Sequence, residues 1–169
     1  WLLEWTLGLP PVWQALAPGV GLVLAWGFLK TIGRGATPAS ADEYLLAYHQ
    51  REGDMPVAPV PGKTLGAVST LGFGGALGFE GPSIFLGATI GSAVRRRFPR
   101  YFETTDRRVL LVAGAAAGVA AIFKAPATGA VFALEVPYRD DSASHTAVPA
   151  IVAAAVSYLT LVIFFGVER

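Results

Sequence analysis

A single carboxylate, that of Glu80, lies in a stretch of sequence that otherwise suits the interior of a lipid bilayer. Residues 64–94 are apolar, small or hydroxyl-bearing apart from this one charge. A charge at such depth costs roughly 2.5–3.5 kcal/mol on insertion scales, and it normally persists where it faces a cavity, a partner or a pathway. We therefore take Glu80 as the first candidate for a functional residue.

The residues after Glu80 favour a helix that begins at this position. Gly81 lets the backbone bend or approach another group closely, and Pro82 has the fixed φ and missing N–H that suit a first helical turn. We predict a helix over residues 83–94 whose N-terminus begins at Glu80. Such an end carries unpaired N–H groups and about half a positive charge, which together make a site for an anion.

A tethered carboxylate and a free anion would compete for the same backbone donors at this helix end. Glu80 could then close the site itself, and its protonation would release the site, which couples occupancy, opening and pH. The simpler alternative is a carboxylate that only stabilises its helix, worth roughly 0.3–1 kcal/mol. The apolar surroundings favour the functional interpretation.

The composition indicates a polytopic membrane protein. Of the 169 residues, 53% are hydrophobic and 15% are charged, whereas soluble domains carry roughly 25% charged residues. The absence of cysteine excludes a disulfide framework, and two histidines argue against a histidine-based metal cluster. The net charge of +1 gives no indication of a nucleic acid partner.

The first apolar segment, residues 7–29, is uncharged and about long enough to cross a bilayer. Its three prolines predict a broken or late-starting helix over residues 20–32. The chain begins at Trp1, and this segment lacks a basic flank and a small-residue cleavage site. We therefore expect no signal peptide and interpret the chain as a piece of a longer protein.

The remaining segments alternate between apolar helices and short polar connections. We predict helices over residues 39–50, 63–77, 83–94, 109–123, 127–136 and 147–167, with an exposed connector at 51–62 and a polar loop at 137–145. Thr37 or Ser40 is a candidate cap for the first of these helices. Pro126 and Gly129 are expected to break the sequence between the fourth and fifth.

Two further sequence features concern pairs of glycines and a group of arginines. Three glycine pairs at helical spacing predict close helix packing, Gly74 with Gly78, Gly87 with Gly91, and Gly114 with Gly118. The arginines within residues 95–108 indicate a hydrated loop that faces the cytoplasm and lipid headgroups. We expect Lys124 to extend to the membrane surface rather than to pair with Glu135 or Glu80.

Three motifs together resemble the N-terminal half of the CLC chloride channel and transporter family. They are GFEGP at residues 78–82, GAAAGVAAIFKAPATGAVFALEV at 114–136, and the turn GRGATP at 33–38. The resemblance covers residues 20–167. It implies an all-α, polytopic membrane fold with broken, re-entrant helices, in which residues 1–169 form one inverted repeat and a second repeat, absent from this chain, completes the pore.

The resemblance also implies roles for particular residues. Glu80 would be the gating glutamate, which carries the proton in exchangers, and the backbone at Gly78, Phe79, Glu80 and Gly81 would line the outer anion site. Chloride would be the transported ligand, and no cofactor or metal is expected. The family works as a homodimer in the lipid bilayer, here in the cell membrane, without a nucleic acid partner.

Three departures from the family pattern concern the site. Phe79 stands where the family has Arg or Lys, so a positive charge beside the gate is missing. The family's serine turn aligns its serine with Gly35, which leaves Thr37 as the candidate hydroxyl. Val136 follows Glu135 where exchangers commonly have a second glutamate. Because an aliphatic side chain carries no proton, this position favours a passive channel of the voltage-gated type, or else a proton-coupled exchanger with an unusual proton path.

Two further interpretations remain open, and an enzyme is disfavoured. One is a fluoride exporter of the same family, because that branch also alters the serine turn and the inner glutamate position, which is Val136 in this chain. A non-conducting membrane assembly protein would retain Glu80 for structure only. Ser83 has no nearby base in the sequence, neither histidine lies in a buried stretch, and there is no phosphate-binding loop with its lysine.

Overall fold

Helices make up all the regular secondary structure in the described part of the chain, as the composition predicts. The computed structural model describes residues 2–103, 106–137 and 144–166. The elements are α1 (Leu2–Leu7), α2 (Pro11–Thr31), α3 (Ala41–His49), α4 (Val60–Gly72), α5 (Glu80–Arg97), α6 (Asp106–Phe123), α7 (Pro126–Glu135) and α8 (Ser144–Phe165).

The helices form two compact units. The first unit comprises Trp1–Pro38 and Ala58–Gly78 and contains α1, α2 and α4. The second comprises Ala39–Val57 and Phe79–Arg169 and contains α3 and α5 to α8. Both units therefore combine segments that are distant in the sequence.

In the first unit, α2 is longer than the prolines predict. The expected late start at residue 20 is wrong, because α2 runs from Pro11 to Thr31 with Pro18 inside it. Pro11 occupies the first turn, where a missing N–H costs nothing. In the interior, Pro18 removes one intrahelical hydrogen bond but does not end the helix.

The second helix of this unit, α4, ends earlier than expected, at Gly72 instead of residue 77. Gly74 has φ +78°, a left-handed conformation that stops a helix, and the N–H of Gly75 turns back to the carbonyl of Thr70 at 2.8 Å. Gly74 and Gly78 are therefore outside any helix and are not the packing pair that their spacing predicts.

In the second unit, α5 and α6 pack through a seam of four glycines. A Cβ added to Gly87 or Gly114 would overlap the carbonyl oxygen of the other, and one added to Gly91 or Gly118 would overlap the carbonyl of Leu110 or Ser83. The predicted close packing of these two pairs is confirmed. Backbones at such short separation leave no room for side chains, which holds α5 and α6 in one register.

The break between α6 and α7 lies at Lys124 and Ala125. Lys124 takes φ +53°, and Pro126 is in the first turn of α7. Gly129 does not contribute to the break, contrary to the prediction, because it lies inside α7. A Cβ at Gly129 would come within 2.6 Å of the Ala120 nitrogen, so this glycine serves the packing of α7 on α6.

Two helices of the described residues, Pro11–Thr31 and His145–Phe165, are long and apolar enough to cross a membrane, and only 17% and 11% of these spans are buried. Their outward side chains are large and apolar, as a lipid environment permits. On α8 they include Val148, Ile151, Val152, Val156, Leu159, Ile163 and Phe164.

Candidate anion site at two helix N-termini

Glu80 is the first residue of α5, as the sequence predicts, and Phe79 precedes it as the N-cap residue. The side chain of Glu80 is half-buried. Its carboxylate makes no hydrogen bond or ion pair with any residue that the structure describes. An acid held at a helix end without a basic partner keeps its affinity for the nearest donors, which are the amides of its own first turn.

The backbone N–H groups of Phe79, Glu80 and Gly81 have no partner among the described residues. Pro82 has no N–H, and the first bonded amide is that of Ser83, which donates to the carbonyl of Phe79 at 3.1 Å. The Ser83 hydroxyl donates to the carbonyl of Glu80 at 2.9 Å. No side chain caps this end, so the amides remain available to a ligand.

A second helix N-terminus lies against the first. Ser40 is the N-cap residue of α3, and it makes no side-chain cap hydrogen bond. A Cβ built on Gly81 would lie 3.4 Å from the Ser40 Cβ and 4.0 Å from the Ser40 hydroxyl oxygen. The hydroxyl of Ser40 is thus beside the first turn of α5.

The two helices run in parallel. Their first residues meet at Ser40 and Gly81, while at the other end Asp54, after α3, bonds Arg96 in the last turn of α5 at 3.0 Å. Each N-terminus is equivalent to about half a positive charge, so the two ends reinforce each other. The arrangement can bind a small anion through backbone amides and one hydroxyl without a full cation.

Sequence reasoning missed Ser40 as a site residue. Its sequence neighbours suggested only a helix cap, and the family's serine turn aligned its serine with Gly35. The signal was the start of a helix at Ala41, since a serine immediately before a helix lies at the end of that helix.

Three other predicted site residues, Gly35, Thr37 and Gly78, belong to the first unit. Gly35 has φ +76°, with open space around a built Cβ, and Thr37 is exposed. The second unit contains Phe79, Glu80 and Gly81. The group that the structure brings together is therefore Ser40 with the first turn of α5.

Helix α3 is anchored by the end of α7. Pro137 has no N–H to offer the carbonyl of Ala133, and the buried hydroxyl of Tyr44 donates to this carbonyl at 2.8 Å instead. His49 Nε2 donates to the carbonyl of Pro137 at 2.7 Å. These two bonds, made by residues five positions apart, attach α3 to the end of α7.

The charged residues around α7 do not form a pair in the described part of the chain. Lys124 and Glu135 lie at opposite ends of α7 and are both exposed. The ten-residue helix between them is about 15 Å long. Val136 follows as the C-cap residue, and the next residue is the buried Pro137. The described residues also contain no cluster of acids and histidines that could hold a metal ion.

Comparison with known proteins gives one family. The sequence model of the family described as voltage gated chloride channel matches residues 21–169. The H(+)/Cl(-) exchange transporter ClcA of Klebsiella pneumoniae is 35% identical over 135 residues, which cover 80% of this chain and 27% of the relative.

Two further relatives match shorter segments. Chloride channel protein CLC-d of Arabidopsis thaliana is 44% identical over a segment that covers 44% of this chain and 11% of the relative. ClcA of Cronobacter sakazakii is 45% identical over 76 residues, 45% of this chain and 16% of the relative. The matches therefore span between 11% and 27% of the length of these three relatives.

Proposed function

Because the chain belongs to the voltage gated chloride channel family, we propose that it forms the first repeat of an integral membrane protein that carries chloride or another small anion across the bilayer. The observation that carries this proposal is the meeting of two helix N-termini, with three unbonded amides beside the Ser40 hydroxyl. The names of the relatives, channel and exchange transporter, agree in naming chloride.

In this proposal Glu80 is the gate. Its carboxylate begins the same helix whose amides bind the anion, so the two negative groups exclude each other from one set of donors. Protonation makes the side chain neutral, so that it no longer competes with the anion for these amides. The half-buried position and the lack of an ion pair in the described residues support a side chain that is free to leave.

We further propose that transport is passive. Val136 occupies the position after Glu135 and has no group that can take up a proton. Near this end, His49 bonds the backbone carbonyl of Pro137. A fixed exchange of protons for anions needs a titratable group on each side of the anion path, and in this proposal Glu80 supplies one such group while Val136 cannot supply the other.

The complete protein is proposed to contain a second, inverted repeat and to assemble as a homodimer in the cell membrane. Transporters built from inverted repeats bind their substrate between the repeats, at discontinuous helices. Helices α4 to α7, with their breaks at residues 73–79 and 124–125, have this discontinuous form. The outward apolar surface of α8 is available to lipid or to another helix.

The experiment compares anion efflux from vesicles that contain the complete protein and its Glu80→Gln variant. Chloride efflux through the wild type should rise as pH falls, because a protonated Glu80 leaves the site. The Gln side chain is neutral at every pH, so the variant should conduct at neutral pH and lose the pH dependence. Glu103 is an exposed acid in the loop after α5. Its variant Glu103→Gln is the matched control and should keep the pH dependence of efflux.

Each alternative gives a distinct result in the same vesicles. Efflux that retains its pH dependence in Glu80→Gln would contradict the gate. Uphill proton movement driven by a chloride gradient with fixed stoichiometry would contradict the passive mechanism. Fluoride efflux that greatly exceeds chloride efflux would identify a fluoride exporter, and the absence of any anion flux would support an assembly protein.

A further inference from the structure

The arginines at the end of α5 and the start of α6 differ in whether the second unit already neutralises them. They are Arg95, Arg96, Arg97, Arg100, Arg107 and Arg108. Arg96 Nη1 lies 3.0 Å from Asp54 Oδ1, and Arg107 Nη1 lies 3.6 Å from Glu52 Oε2. Arg95 is half-buried, and water does not reach its Nε atom. The connector after α3 therefore balances two of these charges, and a third is partly shielded.

Arg97 and Arg100 have no such compensation. Both are exposed, and neither forms an ion pair with a carboxylate in the described part of the chain. The guanidinium carbon of Arg97 lies 5.6 Å from the centroid of the Phe98 ring. Arg108 is exposed as well, but its guanidinium lies 5.4 Å from the ring centroid of the buried Tyr48 on α3. The uncompensated charge that a ligand can reach at the end of α5 is thus that of Arg97 and Arg100.

Arg97 continues an apolar stripe on the outer side of α5. Residues with the spacing i, i+4, i+7 and i+8 lie on one side of a helix. In α5 and its C-cap residue these are Ile90, Val94, Arg97 and Phe98, which we call the outer stripe of α5. Ile90 is 64% exposed and Val94 is 37% exposed, whereas Ser92, on the opposite side, is buried. The outer stripe therefore faces away from the packed interior of the second unit.

The order of residues along the outer stripe matches the order of groups in a membrane lipid. Ile90 and Val94 offer an apolar surface that suits an acyl chain. Arg97 follows about 10 Å beyond Ile90 along the helix axis, at a rise of about 1.5 Å per residue. A guanidinium binds phosphate oxygens through two parallel N–H donors. An apolar contact and a phosphate contact are thus arranged one after the other on the same surface.

The loop after α5 adds the second cation. The N–H of Tyr101 donates to the carbonyl of Phe98 at 3.2 Å, so Arg100 lies in a turn closed against the end of the helix. The Tyr101 ring is 80% exposed, and tyrosine is enriched at the level of lipid headgroups. Two acids follow in this segment. Glu103 is exposed, and Asp106 Oδ2 accepts a hydrogen bond from the Glu103 N–H at 2.8 Å.

We propose that the outer stripe of α5 binds an anionic phospholipid, whose phosphate contacts Arg97 and Arg100 and whose acyl chain lies along Ile90 and Val94. Charge complementarity favours this occupant, since a zwitterionic lipid would bring an ammonium group to the same two cations. A soluble phosphate would satisfy the arginines but would leave the apolar part of the stripe uncovered. The inference requires that the chain lies in a bilayer, and it does not depend on the proposed transport of an anion.

The test uses phosphatidylglycerol with a photoactivatable diazirine in its acyl chain, mixed into phosphatidylcholine vesicles that contain the complete protein. Peptic peptides are used for mass spectrometry, because pepsin digestion does not depend on the arginines. We expect labelling of the peptide with Ile90 and Val94, and much less labelling by phosphatidylcholine that carries the same diazirine. Each arginine near a membrane surface contributes a factor of about five to the binding of anionic lipid. Arg97→Gln and Arg100→Gln should therefore each lower the labelling about fivefold.

The matched control is Arg96→Gln. It removes the same unit charge from the same turn of α5, but from a side chain that is already paired with Asp54 and lies outside the outer stripe. Labelling by phosphatidylglycerol should therefore remain at the wild-type level. An equal loss in Arg96→Gln and Arg97→Gln would mean that only the overall surface charge attracts the lipid, and it would overturn the proposal. Equal labelling by the two lipids would do the same.

A soluble competitor separates the lipid from a free phosphate. Inorganic phosphate in large molar excess over phosphatidylglycerol should leave most of the labelling intact, because it cannot cover Ile90 and Val94. Loss of the labelling under these conditions would identify phosphate as the preferred ligand and would refute the lipid site. The readout is independent of flux. Flux that Glu80→Gln alters, with equal labelling in wild type and Arg97→Gln, would overturn only the lipid site, whereas the reverse pattern would overturn only the gate.

Discussion

The Ser40 side chain lies against Gly81, so that a Cβ on this glycine would be 3.4 Å from the Ser40 Cβ. Each residue is at the start of its own helix, and the two helices run parallel from this point. Positive helix ends normally repel each other, and their apposition is favourable only when something negative lies between or beside them. In this chain Asp42 and Glu43 supply negative charge in the first turn of α3 and Glu80 supplies it in the first turn of α5. An anion is the proposed competitor of Glu80.

Loss of the Ser40 hydroxyl should weaken anion binding. A hydrogen bond to a charged group contributes about 1.5–3 kcal/mol, so Ser40→Ala should lower chloride affinity by roughly 10- to 100-fold. Titration calorimetry of the complete protein in detergent provides the measurement. Thr160→Ala, which removes an exposed hydroxyl bonded within α8 to Val156, should leave the affinity unaltered, and equal losses in both variants would contradict the assignment of Ser40.

A cation at position 79 should strengthen anion binding. Phe79 is 53% exposed at the start of α5, so an arginine fits there without displacing a packed core. Two unit charges 4 Å apart interact by about 1 kcal/mol in water and by about 4 kcal/mol at a protein surface. Phe79→Arg should raise chloride affinity, with an effect that shrinks at high ionic strength, and Phe79→Leu should not. A gain that is independent of salt would refute the electrostatic cause.

The glycine seam should not tolerate a methyl group. In Gly87→Ala the new Cβ would overlap the carbonyl of Gly114, and overpacking of this kind costs roughly 1–3 kcal/mol. The midpoint of thermal unfolding in detergent should therefore fall. Gly27→Ala is the matched control in α2, where a Cβ meets nothing within 4 Å, and it should be neutral or slightly stabilising. Equal midpoints for the two variants would contradict the packing assigned to the seam.

Removal of the Tyr44 hydroxyl should destabilise the second unit. The carbonyl of Ala133 has no intrahelical donor because residue 137 is proline, and Tyr44 supplies the bond. Tyr44→Phe leaves this buried acceptor unpaired, at a cost of about 1–3 kcal/mol. Unfolding by denaturant in mixed micelles measures the loss. Tyr101→Phe removes a hydroxyl from a side chain that is 80% exposed and should change the unfolding free energy little; a comparable loss there would contradict the role of the bond.

Local chemistry in the sequence predicted the starts of α5 and α7 closely but not the start of α2. Glu80 begins α5 and Pro126 lies in the first turn of α7 as expected, because proline and an acid suit a first turn whatever surrounds it. The three prolines of the first apolar segment suggested a break that does not occur. Pro18 is accommodated inside α2, since packing and the apolar environment outweigh one missing hydrogen bond.

The three glycine pairs show why their spacing in the sequence alone could not predict which of them would pack two helices together. Gly74 with Gly78, Gly87 with Gly91, and Gly114 with Gly118 have the same four-residue separation, yet only the last two pairs form the helix seam. Gly74 instead takes a left-handed conformation and ends α4. A glycine fits both situations because it has no Cβ, and its neighbours in space decide between them.

By itself, the sequence determined the helical membrane class, the start of α5 at Glu80 and the negative charge at that start, because these depend on residue type and on neighbours in the chain. The tertiary structure decided which second element meets this helix end. It is Ser40 at the start of α3, 41 positions before Gly81 in the numbering, and no local pattern connects the two. Their contact depends on the packing of α3 on α5 and on the bond at Ala133, which are made between residues far apart in the sequence.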